Sequence, residues 1–220
     1  MTPALASSPT ETPVEFLVPG LPYSGPELRG MELSGLVDHM IGDLYLPADQ
    51  RPEPTRVRAA AAHRLAVPVL TGRWAVMGVT AAWVLAGGPA PLALEAAVDR
   101  YHRIPLQPLS VRLALEQTDV VKDPADVIHL WGLPCTSAAR TVEDLLRRAE
   151  DPARAADALT AAARLLPMTP AEHLRQRFEH HRRRPGMAGA RRALETLLAR
   201  EPRTAGRQPS AGAAFRPAVR

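Results

Sequence analysis

The sequence predicts an α+β protein: a small mixed β-sheet flanked by helices, then a helical C-terminal section. Two observations carry this. Between residues 91 and 131, short apolar or alternating runs lie between turn residues; Val111, Leu113 and Leu115 alternate with Arg112 and Ala114, which puts one side of a strand toward a core. After Ser137 the apolar residues recur at helical spacing, and most runs open on a residue suited to capping.

Residues 1–28 are rich in Pro, Ser, Thr and Gly, and residues 201–220 mix Pro and Arg with small residues. Such segments bury too little apolar surface to offset their ordering entropy, so both are expected to be disordered. Met31 to Pro47 reads as a short helix and then a strand. Thr55 is placed to cap a helix from Arg56 to Leu65, rich in Ala. Val67 to Leu70 reads as a short strand interrupted by Pro68, and Thr80 to Ala86 as a brief helix stopped by Gly87-Gly88. Leu92 to Val98, Leu109 to Leu115 and Val127 to Trp131 are the expected sheet strands, although the Ala-rich first run also suits a helix.

The C-terminal part is read as four helices. Ser137 caps residues 138–149, with Val142, Leu145 and Leu146 on the buried face. Asp151-Pro152 opens the second, whose apolar stripe is Ala156, Leu159, Ala163 and Leu166. Thr169-Pro170-Ala171-Glu172 has the form of a capping box and opens the third, with Ala171, Leu174 and Phe178 in line. Pro185-Gly186 ends it. The fourth runs from Met187 to Arg200 and aligns Met187, Ala190, Leu194 and Leu197. Trp74, Trp83 and Trp131 lie in apolar stretches and are expected in the core or at its edge.

The net charge of +4 conceals an asymmetry: from His173 onward twelve Arg face three Glu, while the remainder is net acidic. A basic end on an acidic body points to an anionic partner, nucleic acid or an acidic protein face. Arg182, Arg183, Arg184, Arg191 and Arg192 are the candidate contacts. They lack interleaved aromatics, which argues against stacking on single strands; a solvated helix end explains the same residues. One Cys permits no internal disulfide, the N-terminal residues lack the basic region and apolar core of a signal peptide, and the longest apolar run is too short to span a bilayer. A cytoplasmic location without membrane attachment is the expectation.

Reactive constellations are sparse. His173, His180 and His181 lack the i,i+4 ligand spacing of a helical metal site. Asp123 and Asp126 flank a turn proline, and Glu143 and Asp144 are adjacent on a helix, pointing different ways. Cys135 precedes a helix but reads as a small residue at a packed turn, and Ser137 lacks the glycine frame of a nucleophile elbow. No phosphate loop or dinucleotide fingerprint is present. The expectation is a protein that is not an enzyme and carries no cofactor or metal. An enzyme using Asp123, Asp126 or His181 is the remaining alternative, and it requires those side chains to share a pocket.

The segment Gly132-Leu133-Pro134-Cys135-Thr136-Ser137-Ala138-Ala139-Arg140-Thr141-Val142-Glu143-Asp144-Leu145-Leu146 resembles a signature stretch of AbiEi-type antitoxins, the antitoxins of type IV toxin–antitoxin systems. The order of elements from about residue 31 to 200 is similar too. The resemblance implies a winged helix that binds promoter DNA, and a following domain that counteracts a nucleotidyltransferase-like toxin. Residues 29–50 would then be a degenerate winged-helix remnant, with Gly42, Tyr45 and Pro47 in a wing, and residues 51–200 the antitoxin-like domain. Asp38, Asp43 and Asp49 stand where a DNA-facing wing needs cations, and phosphate repels such a surface. The implied function is antitoxin-like or transcriptional regulation by binding; a DNA-binding regulator using the Arg-rich helices is the alternative.

Overall fold

The computed structural model describes residues 13–20, 22–50, 52–101 and 110–200. The architecture is α+β, with a five-stranded mixed sheet, a separate two-stranded sheet and helices packed around them. Residues 201–220, expected to be a disordered tail, lie outside the described residues.

The first helix, α1 (Gly25–Leu33), begins inside the segment expected to be disordered. Ser24 and Glu27 form a capping box: the Ser24 N–H donates to Glu27 at 2.7 Å, and the Glu27 N–H to Ser24 Oγ at 3.4 Å. That reciprocal satisfaction outweighs the local Pro and Gly content. After α1 come β1 (Val37–His39) and β2 (Tyr45–Pro47), paired antiparallel, with Leu17 bridging to Tyr45. Leu28, Val37 and Tyr45 form a small core of their own, while Ile41 and Leu44 from the intervening turn join the main core. Residues 29–50 are thus anchored to the same body as the rest.

Helix α2 (Pro54–Ala66) is capped by Glu53, not by Thr55: its carboxylate accepts the Thr55 and Arg56 N–H groups at 2.9 and 2.7 Å. Residues 67–70 do not form the expected strand. Val69 and Leu70 both donate to the Ala66 carbonyl, because Pro68 fixes φ and offers no N–H for a sheet ladder. The chain then enters β3 (Trp74–Val76), α3 (Gly78–Ala86), β4 (Ala93–Val98) and β5 (Arg112–Gln117). A 3-10 turn over Asp119–Lys122 leads to β6 (Val127–Leu130) and β7 (Leu133–Thr136).

The sheet order is β5-β4-β3-β7-β6. The β4–β5 and β3–β7 pairs are parallel; β3–β4 and β6–β7 are antiparallel. One row of paired residues crosses every strand: Leu115, Ala96, Val76, Cys135 and Ile128. All five are apolar, so this side of the sheet faces the main core. The sequence hid β3 and β7. Pro134 is tolerated in β7 because the ladder to β3 touches β7 only at Cys135.

Trp131 departs from its expected core position. It is 47% exposed, with φ +46°, at the two-residue turn joining β6 to β7, and Gly132 follows at φ +85°. Positive φ at both central positions is the type I′ arrangement, which favours Asn-Gly. Trp131→Asn is therefore expected to stabilise the protein by about 1 kcal/mol, read as a higher urea midpoint; a lower midpoint would show that the indole is held by packing. Trp83 is buried and Trp74 half-buried, as expected.

Ser137 caps α4 (Ala138–Arg148) by accepting the Arg140 N–H, and Asp151 caps α5 (Pro152–Leu165). The buried face of α5 is Ala158, Ala161, Ala162 and Leu165, one step from most of the expected stripe; Ala156 is exposed, Leu159 and Ala163 are half-buried, and Leu166, just past the helix, is buried as expected. Helix α6 (Ala171–His180) lacks the expected Thr169 cap. Pro170 itself takes the N-cap position at φ −54°, ψ 133° and the helix starts one residue later, which leaves Thr169 too far away. Leu174 and Phe178 are its buried residues. Helix α7 (Met187–Arg200) buries Met187, Ala190 and Leu194. Helix α4 touches α3, α5, α6 and α7, and every residue from Ala139 to Leu146 is buried.

Candidate partner-binding site

Helix α4 supplies both sides of a charge network. Its sequence places Arg140 one turn before Asp144, and the Arg140 Nε donates to Asp144 at 2.8 Å. Arg140 Nη1 also donates to Asp126 at 2.9 Å, on the loop before β6. From α6, Arg177 grips Asp126 with both terminal nitrogens, at 2.7 and 3.0 Å, and donates from Nε to Glu143 at 2.6 Å. His181 Nδ1 lies 2.8 Å from the same Glu143 oxygen, and Arg184 Nη1 lies 3.3 Å from the other. Arg147 donates to the Pro185 carbonyl at 3.0 Å. Glu143 is fully buried, with Arg177, His181 and Arg184 around it.

Burial acts to raise the pKa of Asp126 and of Glu143, but it loses in both. Arg177 and Arg140 hold Asp126 below the usual carboxylate range, and His181, Arg177 and Arg140 do the same for Glu143. Burial likewise works against the charge of Arg140, yet Asp144 and Asp126 reverse it and raise its pKa. Both depressed carboxylates contribute stability that is complete above their unfolded range, about pH 4–5. That stability drains away as pH falls through the lower folded-state values. Urea midpoints are expected to drop on acidification below about pH 4, and Asp126→Asn to flatten part of that fall. An unchanged acid limb in this variant would show that Asp126 gains nothing from folding.

The network fixes the basic surface expected from the sequence. The turn between α6 and α7 carries Arg182, Arg183 and Arg184, and α7 carries Arg191 and Arg192. All five side chains are exposed, and a hollow of about 440 Å³ opens among residues 179–184. They are not equally available. Arg182 and Arg191 both pair with Glu179 at 2.8 Å, and Arg184 reaches inward to Glu143. Arg183 and Arg192 form no ion pair with a described residue and are the cations left to meet a partner.

The three residues of the enzymatic alternative do not converge. Asp123 is exposed and accepts the Ala125 N–H of its own turn. Asp126 and His181 belong to one network, but Arg177 and Glu143 stand between them. The buried Cys135 thiol is pushed up to about 12 by desolvation, so it holds its proton at neutral pH. Among the described residues no group of three His, Cys, Asp or Glu is arranged to hold a metal ion, and no helix is long and apolar enough to cross a membrane. Sequence reading missed Glu143, Asp144, Arg140 and Arg177 as partners; the available signal was i,i+4 spacing of opposite charges on α4 and of Arg177 with His181 on α6. Comparison of the sequence with protein-family models and with curated proteins finds no match.

Proposed function

We propose that the chain is an antitoxin-like or transcriptional regulatory protein of the type IV kind, acting in the cytoplasm by binding and not by catalysis. One observation supports this most. The charged residues of the AbiEi-like segment, Arg140, Glu143 and Asp144, are spent on internal ion pairs, and those pairs brace a basic turn at the surface. A segment used this way supplies a scaffold for an interface. The helix α1 and the β1–β2 hairpin have the order of a last helix and wing, but Asp38, Asp43 and Asp49 are exposed there, which disfavours phosphate contact. Co-expression with a nucleotidyltransferase-like toxin encoded beside it should restore growth. Continued arrest with the folded chain present would refute the reading.

A second reading, DNA binding through the Arg-rich helices, draws on the unpaired Arg183 and Arg192. Gel-shift titrations over a range of salt test it. Replacing both with Ala should lower the log–log salt slope by about 1.8, since each phosphate contact contributes about 0.9. Replacing Arg182, Arg183 and Arg184 together should flatten it as well; an unchanged slope in both variants removes this reading.

A further inference from the structure

On the far side of α4 from the basic turn, a cavity of about 710 Å³ lies between α5 and the first residues of β4 and β5. Its volume is in the range of small-molecule sites. Val79, Pro91 and the exposed Leu92 give it apolar walls, and Arg112, Arg154 and Arg164 give it cations. Arg148 lines it too, but Glu95 and Glu116 each hold that guanidinium at 2.6 Å. The other three are differently placed. Arg112 and Arg164 form no ion pair with a described residue, and Arg154 makes only a long contact, 3.7 Å, with Asp151 of its own helix cap. Asp157 is the one acid on the wall apart from Glu95.

Arg164 lies against the backbone at Gly88. Gly88 stands at φ +99° and presents bare backbone to its guanidinium; a Cβ there would collide with Nη1, Cζ and Nε. The arginine is half-buried, and its guanidinium presents a planar fork of donors. A half-buried guanidinium, two further cations and an adjoining apolar wall match a ligand with a dianionic group on a flat apolar body. A phosphate monoester carries a charge of about −1.5 to −2 at neutral pH, which balances three arginines against Asp157 better than one carboxylate does. We propose that this cavity binds a nucleoside phosphate. Arg164, with Arg112 and Arg154, takes the phosphate, and Val79, Pro91 and Leu92 take the base.

Isothermal titration of the full chain with AMP, GMP, CMP, UMP and the corresponding triphosphates tests this. At least one is expected to bind saturably, one per chain, with affinity falling as salt rises. Ala114→Trp fills the cavity from an exposed strand position and leaves the charge unchanged. It should weaken binding at least about tenfold, and Arg164→Met should do the same, the loss of a charged hydrogen-bond partner. Arg164→Lys keeps the charge, loses the fork and should fall between. Arg183→Ala with Arg192→Ala should leave binding unchanged. Thermal unfolding checks that each variant is folded. The proposal is overturned if no nucleotide binds at millimolar concentration, if Ala114→Trp and Arg164→Met bind as well as the wild type, or if only the Arg183/Arg192 variant loses binding.

Discussion

Replacement of Glu143 by Ala is expected to destabilise the protein by about 3–5 kcal/mol, the range for breaking a buried ion pair from one side. The side chain is fully buried and accepts from Arg177 at 2.6 Å and lies 2.8 Å from His181. Removing it strips both groups of a partner in a largely buried place, and Arg184 loses its inward anchor as well. For a chain of this size the loss corresponds to roughly 10 °C in Tm. Glu143→Gln keeps the volume and one acceptor oxygen but not the charge, and should fall between. A Tm within two or three degrees of wild type for the Ala variant would mean that water or a rearranged Asp126 replaces the carboxylate.

Phe178→Ala should have an effect of similar size for a different reason. Phe178 is 1% exposed and sits in the main core with Leu174, Leu194 and Met187. Its truncation removes the ring's transfer free energy and leaves a cavity, which together cost about 3–5 kcal/mol. The two variants separate by pH. The Phe178→Ala deficit is apolar and should stay constant between pH 7 and the acid limb. The Glu143→Ala deficit should shrink in acid, where the wild-type carboxylate is itself protonated and its contribution is already gone. Equal pH dependence of the two deficits would contradict an ionic role for Glu143.

Much of the C-terminal half was legible because its signals are local. Ser137 and Asp151 accept the N–H groups their positions promised, and the Met187, Ala190 and Leu194 stripe of α7 is buried as its spacing required. Thr169 failed because Pro170 adopts a non-helical ψ, and the pattern alone does not say which residue of a Thr-Pro pair ends outside the helix. Strand β7 was obscured by Pro134, whose tolerance depends on how far the neighbouring ladder extends, a tertiary fact. The candidate site was half visible. The five arginines are exposed, but which of them are free depends on Glu179 and Glu143. The network itself was hidden by a one-face view of α4. Val142, Leu145 and Leu146 announce an amphipathic helix, and such a helix leaves Glu143 and Asp144 in water. Four other helices touch α4, so its charges are enclosed, and charges enclosed together must pair.

The central claim is that the charges of the 126–148 segment belong to the scaffold and brace the α6–α7 turn. A double-mutant cycle on Glu143 and Arg177 tests it most directly, with Glu143→Gln, Arg177→Met and the combined variant unfolded in urea at neutral pH. The pair is 2.6 Å apart across α4 and α6. Breaking either partner alone leaves the other a largely buried charge one partner short, so the combined variant should lose less than the sum of the single losses, with a coupling of about 2 kcal/mol. Losses that add to within about 0.5 kcal/mol, the behaviour of independent sites, would contradict the claim.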